Sequence, residues 1–395
     1  MARSLTDSGI ARDSARRTVI LHAINGVGTG HLSRQVALAS YLIAAQPSLW
    51  PVLLSEGSAT LDMAGTIPVL QLPSTAHLRD YFDHDQAAAE SLLQAAVRMS
   101  FAALASLQPR LVVHDTMVWP PMLRAASLLG ARQALCLRPR RDLRDYLSDP
   151  LCPIRQMDLV FVPDVATGNE ATLDVLAEAG IPALWTGPIH REAGDNPDGA
   201  PNGPQLKPGT RVIVITSGGG SGQDTVDHFD QCLAALRQVK PDGMSVVAVL
   251  GPLFNGALRV EPGFPHDLTV IRATDQLPAL LAAASLILCR GGYGVVHESA
   301  VGGARVLAAA APRSTDDQGL RLRRFQADGR CELIPDGSTA HDLAIQIGKS
   351  LRAPRPGPAS LTDSAAMTEL GQRLRLLAQT KQDENSMPDL SDIHI

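Results

Sequence analysis

Two glycine-rich turns carry the residue types of anion sites. The first lies in Cys289-Arg290-Gly291-Gly292-Tyr293-Gly294-Val295-Val296-His297-Glu298. Ser285 to Leu288 before it is an apolar run of the kind a buried parallel strand shows, and Val295 to Gly302 reads as a helix opening just after the glycines. Glycines permit a tight turn and a close backbone approach to something bound. A helix start presents free N–H groups and a partial positive charge, so phosphate is a natural guest. Glu298 lies about one turn inside, where its carboxylate can accept hydrogen bonds from a diol such as ribose. The second turn is Thr216-Ser217-Gly218-Gly219-Gly220-Ser221-Gly222, between a strand over Val212 to Ile215 and a helix over Thr225 to Arg237.

A third turn, Asn25-Gly26-Val27-Gly28-Thr29-Gly30, separates a strand over Thr18 to Ala23 from a helix over His31 to Ala45. It resembles a dinucleotide fingerprint, with Glu56 past the next strand as the ribose acid. The third glycine of that fingerprint would fall at His31, however, where an imidazole crowds the helix–strand contact. Other local patterns read as structure. Asp83-His84-Asp85 has the form of a metal-binding DxD but precedes a helix, where aspartates favour the dipole. His297-Glu298 is no HExxH, because position 301 is Val, and Ser221 has no G-x-S-x-G around it. Arg138, Arg140, Arg141 and Arg144 form a basic run that reads as a solvated face, with a phosphorylated acceptor or an anionic membrane surface as its functional alternatives. Trp119, Pro120, Pro121 and Met122 read as core packing, with an apolar acceptor pocket as the alternative.

The elements that position these turns alternate along the chain. Short strands are expected at Val52 to Leu54, Val69 to Leu72, Leu111 to Val113, Ala134 to Leu137 and Leu159 to Val162. Helices are expected at Gln86 to Leu107 and Trp119 to Leu129. Pro188 to Gly209, rich in glycine and proline and without apolar period, is a linker. After it the same grammar restarts, with strands at Val246 to Leu250, Leu268 to Ile271 and Arg305 to Ala310 and helices at Gln276 to Ala284 and Asp317 to Ala327. Strands separated by helices mean a parallel sheet whose functional groups gather at the strand C-ends. The expected architecture is two Rossmann-like α/β/α domains, over 18–187 and 210–361, joined by 188–209 and facing each other across a cleft. Residues 1–17 and 382–395 read as disordered.

The 395 residues are 45% hydrophobic and 19% charged, as in a globular protein of two domains. A net charge of −5 and 4% aromatics exclude an evident nucleic-acid surface. Five scattered cysteines form neither a disulfide framework nor a zinc cluster, which points to a reducing cytoplasm. No signal peptide and no run near membrane-spanning length is visible. The pattern is silent on oligomeric state.

Together these motifs resemble glycosyltransferases of the GT-B fold, especially the MurG-like group (family 28). Gly28-Thr29-Gly30-His31 resembles the group's N-terminal loop, and Ser217-Gly218-Gly219-Gly220 its C-domain phosphate loop. Thr274 to Glu298 is similar to its base-contacting turn, helix and CRxG-x-x-x-x-x-E sequence. Ala300-Val301-Gly302-Gly303-Ala304-Arg305 and Pro312-Arg313-Ser314-Thr315-Asp316-Asp317-Gln318 match its last two steps, with Ala304 where the group has proline. The likeness spans most of Val19 to Leu377, and no stretch of the N-domain matches a named member's acceptor site.

The resemblance implies an inverting glycosyltransferase with no cofactor and no metal. Its co-substrate would be a nucleotide-diphosphate sugar, most often a UDP-sugar, with TDP open. Ser217, Gly218, Gly219, Gly292, Tyr293 and Gly294 would hold the diphosphate, Glu298 the ribose, and Ala273, Thr274 and Leu277 the base. Asp317 and Gln318 would read the donor sugar. Gly28, Thr29 and Gly30 form the acceptor-side loop. His31 is the expected base for the acceptor hydroxyl, with Asp115 as a rival base or as its orienting partner. A helix over 362–381 would cross back to the N-domain. The acceptor is expected to be a small molecule, such as a secondary metabolite; a lipid acceptor and peripheral membrane contact stay open. The alternatives are a nucleotide-sugar 2-epimerase, a non-catalytic nucleotide-sugar-binding subunit and a dinucleotide-dependent oxidoreductase.

Overall fold

The computed structural model describes residues 16–24, 29–56, 63–73, 85–140, 142–166, 170–192, 209–220, 222–240, 243–311 and 318–380. The first unit begins with β1 (Arg17–Ala23), α1 (Gly30–Ala45), β2 (Leu49–Ser55) and β3 (Val69–Gln71). It continues through α2 (Gln86–Leu107), β4 (Leu111–Asp115), α3 (Pro120–Leu128), β5 (Arg132–Cys136) and α4 (Leu143–Ser148). A 3-10 turn (Pro153–Gln156), β6 (Leu159–Val162), α5 (Ala171–Glu178) and β7 (Ala183–Trp185) complete it. Its sheet runs β3-β2-β1-β4-β5-β6-β7, with every pairing parallel.

The second unit contains β8 (Arg211–Thr216), α6 (Gln223–Gln238), β9 (Met244–Val249), β10 (Asp267–Ile271), α7 (Leu277–Ala283) and β11 (Leu286–Arg290). There follow α8 (Tyr293–Gly302), β12 (Arg305–Ala309), α9 (Gln318–Ala327), β13 (Cys331–Leu333), α10 (Ala340–Arg352) and α11 (Ser364–Gln379). Its sheet is also all parallel, in the order β10-β9-β8-β11-β12-β13.

Central strands such as β1, β4 and β11 are buried almost throughout because helices cover both faces of each sheet. The helix over 364–379 does not stay with the unit that precedes it. Met367, Leu370, Leu374 and Ala378 of α11 join Leu21, Leu38, Leu42 and Val113 in one core of the first unit. Tyr41 Oη donates to the Met367 carbonyl (2.7 Å) and secures that docking.

The long alternating segments lie where the pattern placed them, α2 included. The pattern did not show β7, β13, α4, α5 or α10. Two of these are three-residue strands, too short to display a period of two. Asp85 caps α2, its carboxylate accepting from Ala88 N–H at 3.0 Å, as a helix-start aspartate does. Met122 is fully buried and Trp119 packs against the core around Ile20 and Val112, which corrects the apolar-pocket alternative to core packing. No described helix is long and apolar enough to cross a membrane.

Candidate active site

Each sheet reverses its strand order once, between β1 and β4 in the first and between β8 and β11 in the second. At such a switch point the two loops leave in opposite directions and open a crevice at the strand C-ends. The two crevices face each other across one cavity of about 320 Å³. From the first unit come Thr29, Gly30, His31, Ser33 and Arg34 on α1, together with Arg138 after β5. Arg191 lies between the units. From the second come Ser217, Gly218 and Gly219 after β8, Asp224 and Thr225 on α6, Leu277 on α7, Arg290, Gly292, Tyr293, Gly294, Val295 and Glu298 around the start of α8, and Gln318.

Helices α1, α6 and α8 all begin at this cavity without a side-chain cap. Helices α2, α10 and α11, whose starts do not line it, are capped by Asp85, Thr339 and Asp363, while α3, α4 and α5, also away from it, begin without a side-chain cap. Uncapped first turns leave N–H donors and the positive dipole end available to an anion. The loop after β8 needs its glycines for backbone reasons. Gly218 and Gly220 have φ of +78° and +84°, and a Cβ on Gly220 would lie 2.3 Å from the Leu250 carbonyl oxygen. The Ser217 hydroxyl is buried at the cavity with no hydrogen-bond partner among the described residues.

On the opposite wall His31 is half-buried, its Nδ1 2.7 Å from Asp115 Oδ1. Asp115 is fully buried at the end of β4 and is held from four sides. Arg34 approaches through Nε (3.0 Å to Oδ2) and through its Nη2, Gln35 Nε2 donates at 3.0 Å, and the Thr116 hydroxyl donates at 2.9 Å. Thr116 itself has φ +60°, a strained conformation for a β-branched residue. Burial alone would raise the Asp115 carboxyl, but the Arg34 guanidinium and His31 outweigh it and hold Asp115 well below the usual carboxylate range. An ionised Asp115 accepts the proton on Nδ1, which leaves Nε2 as the acceptor nitrogen of His31. Burial lowers the His31 pKa below its ordinary value; Asp115 opposes this, while Arg34 and Arg138 add to it.

On the donor-side wall Glu298 is almost fully buried on α8. Its Oε1 accepts from Arg191 Nε (3.2 Å) and from the Ser33 hydroxyl (3.3 Å), so residues outside the second unit hold this carboxylate. Arg290 donates to the backbone and carboxylate of Asp224, at 2.8 and 3.1 Å.

Most residues singled out in the sequence meet here: Thr29, Gly30, His31, Ser217, Gly218, Gly219, Leu277, Gly292, Tyr293, Gly294, Glu298 and Gln318 line the cavity. Asp115 lies behind His31, fully buried and not on the cavity lining, with its carboxylate at hydrogen-bond distance from the imidazole. Ala273 and Thr274 are not on the lining; the Thr274 hydroxyl instead accepts from Gln276 N–H at 3.0 Å, ordering the turn before α7. Glu56 is buried 3.6 Å from His22 and is likewise not on the lining, which removes the ribose acid of the dinucleotide alternative. Gly28 and Asp317 lie outside the described residues, as do Asp83, His84 and Arg141. In the rest of the basic run, Arg140 pairs with Asp142 and Arg144 with Glu178 on the surface, while Arg138 reaches the cavity. Sequence reasoning missed Ser33, Arg34, Thr116 and Arg191. Arg34 alone carried a signal, its spacing of three from His31 on one helix face.

The architecture has solved counterparts. The chain has the GT-B fold. It aligns with the spinosyn forosaminyltransferase SpnP at a TM-score of 0.59 and 16% identity, over 93% of this chain and 96% of that one. A UDP-glucosyltransferase from Polygonum tinctorium, capable of glucosylating indoxyl, aligns at a TM-score of 0.65 and 13% identity, over 93% and 99%. The spinosyn rhamnosyltransferase SpnG, in complex with thymidine diphosphate, aligns at 0.54 and 14%, over 92% and 96%. No protein-family profile matches the sequence, and no curated protein matches it.

Proposed function

We propose that this GT-B protein is an inverting glycosyltransferase that moves a sugar from a nucleotide-diphosphate sugar, UDP-linked in the first instance, to a hydroxyl of a small-molecule acceptor. The observation that carries this reading is the Asp115-oriented His31 placed across one cavity from the uncapped start of α8 and Glu298. The solved neighbours named above transfer sugars to small molecules, and the CRxG-x-x-x-x-x-E stretch from Cys289 to Glu298 adds the MurG-like resemblance.

In this reading the diphosphate sits on the first turn of α8 and on the Ser217-Gly218-Gly219 loop, and Glu298 accepts from the ribose hydroxyls. His31 Nε2 takes the acceptor proton as the acceptor oxygen forms its bond to the anomeric carbon. The bond from that carbon to the phosphate oxygen breaks on the opposite side, inverting the centre. Negative charge then grows on the leaving diphosphate, where preorganised N–H dipoles stabilise it without a metal. Gln318 reads the donor sugar. Five buried, unpaired cysteines suit a reducing cytoplasm.

Thermal-shift titration of the purified protein with UDP, TDP, GDP, NAD and their sugar conjugates tests the donor. A ligand that binds only the folded state raises Tm by mass action. Stabilisation by UDP or TDP that disappears in Glu298→Ala is expected and names the base. Stabilisation by NAD alone would overturn the reading.

A further inference from the structure

Tyr293 is the first residue of α8 and 4% exposed, yet its side chain serves the opposite unit. Its hydroxyl donates to the Pro163 carbonyl at the end of β6 and accepts from Ile189 N–H at 2.9 Å, so it ties α8 to the first unit at two backbone points. Its ring lies against Arg34, with Cζ 4.8 Å from the ring centroid. Arg34 is 2% exposed, and its Nη1 has no hydrogen-bond partner among the described residues. A buried guanidinium with an unmatched N–H group costs stability unless something compensates it, and an aromatic face is such a compensation. The other edge of the same guanidinium grips Asp115, and Asp115 grips His31. Tyr293, Arg34, Asp115 and His31 thus form one contiguous chain from the donor-side helix to the acceptor-side base.

We infer that Tyr293 is a positioning residue for His31. Its ring fixes Arg34 in the plane that orients Asp115 and through it the imidazole, while its hydroxyl sets the separation of the α8 start from the first unit. The inference rests on the reading of His31 as base, but its test does not. Groups of three elements face the imidazole: Asp115 from β4, Arg34 from α1 and Arg138 after β5. Releasing Arg34 withdraws a neighbouring positive charge and admits water, and both changes favour the protonated ring.

The experiment is a pH titration of the His31 ring followed by NMR on histidine-labelled full-length protein. The resonance is assigned by its disappearance in His31→Asn. In Tyr293→Met the midpoint should rise measurably toward the ordinary histidine value. In Tyr293→Phe, which keeps the ring, it should stay at the wild-type value. A Met variant that folds, by its near-ultraviolet circular dichroism, and titrates like wild type would overturn the inference. Should that variant not fold, the wild-type Arg34 side-chain protons decide: upfield ring-current shifts retained in Tyr293→Phe support the stack, and random-coil shifts in both proteins refute it. Neither readout uses donor or acceptor. A failure to bind nucleotide sugars therefore counts against the proposed function, and an unmoved His31 midpoint counts against Tyr293.

Discussion

At the scale of single residues the site pairs a depressed histidine with a permanently ionised aspartate. Burial holds the His31 pKa below its ordinary value, which favours the neutral imidazole that the proposed transfer requires of a base. The rate of transfer is therefore expected to fall as pH drops, with the midpoint of that acidic limb below 6.5, the ordinary value of histidine. His31→Asn should lower kcat by roughly 10²- to 10⁴-fold, the usual yield of general-base catalysis, while donor-induced thermal stabilisation persists. Wild-type turnover in that variant would remove His31 from the chemistry. His31 was legible in the sequence because it closes a glycine-rich turn. Arg34 shares a helix face with His31, but a helical arginine reads as solvent-facing and its partner Asp115 is 81 residues away, so its contact was not legible. The left-handed Thr116 left no trace either, because nothing in a threonine announces positive φ.

At the scale of elements the proposed diphosphate site rests on the uncapped start of α8, which invites a substitution that separates binding from folding. A Cβ at Gly294 would meet nothing closer than the Ser33 hydroxyl at 3.8 Å. A Cβ there is accommodated, and a negative charge in the first turn suits the helix dipole, although the Glu298 carboxylate, 4.0 Å from that Cβ and one turn on, opposes it. The same charge confronts an incoming diphosphate. With the dipole and Glu298 acting in opposite directions, Gly294→Asp is expected to stay folded while weakening nucleotide-diphosphate affinity by at least ~10-fold, about 1.4 kcal/mol. Calorimetric titration with UDP or TDP measures it, and undiminished affinity would remove the α8 start from the diphosphate site. Helices α1, α2 and α8 could be read from apolar spacing and glycine turns. Strands β7 and β13 could not, because three residues carry too little pattern and the neighbouring strand selects them by pairing.

At the scale of the whole molecule, burial of neutral histidines makes the fold acid-sensitive. Burial pushes His114 and His297 down to about 3 and His228 to about 4. Once unfolded, each takes up a proton at the ordinary histidine value, so the unfolded chain binds more protons throughout the interval between. Their contribution is fully present above 6.5, shrinks as pH falls, and levels off below the folded values. Each group costs about 1.4 kcal/mol per pH unit in that window, or roughly 2 kcal/mol by pH 5. Urea unfolding at pH 7 and pH 5 should show a clear drop in midpoint, and equal midpoints would refute the account. The amino-acid sequence by itself determined the alternation of buried strands and helices, the division into two α/β units and the glycine turns that open helix starts, because all of these are encoded within a few residues of one another. Only the tertiary structure decided which strand C-ends share a crevice, that α11 belongs to the first core, that Asp115 lies buried against His31, and that Arg191 and Ser33 hold Glu298. Those outcomes depend on sheet order and on contacts between residues tens to hundreds of positions apart, which local pattern does not record.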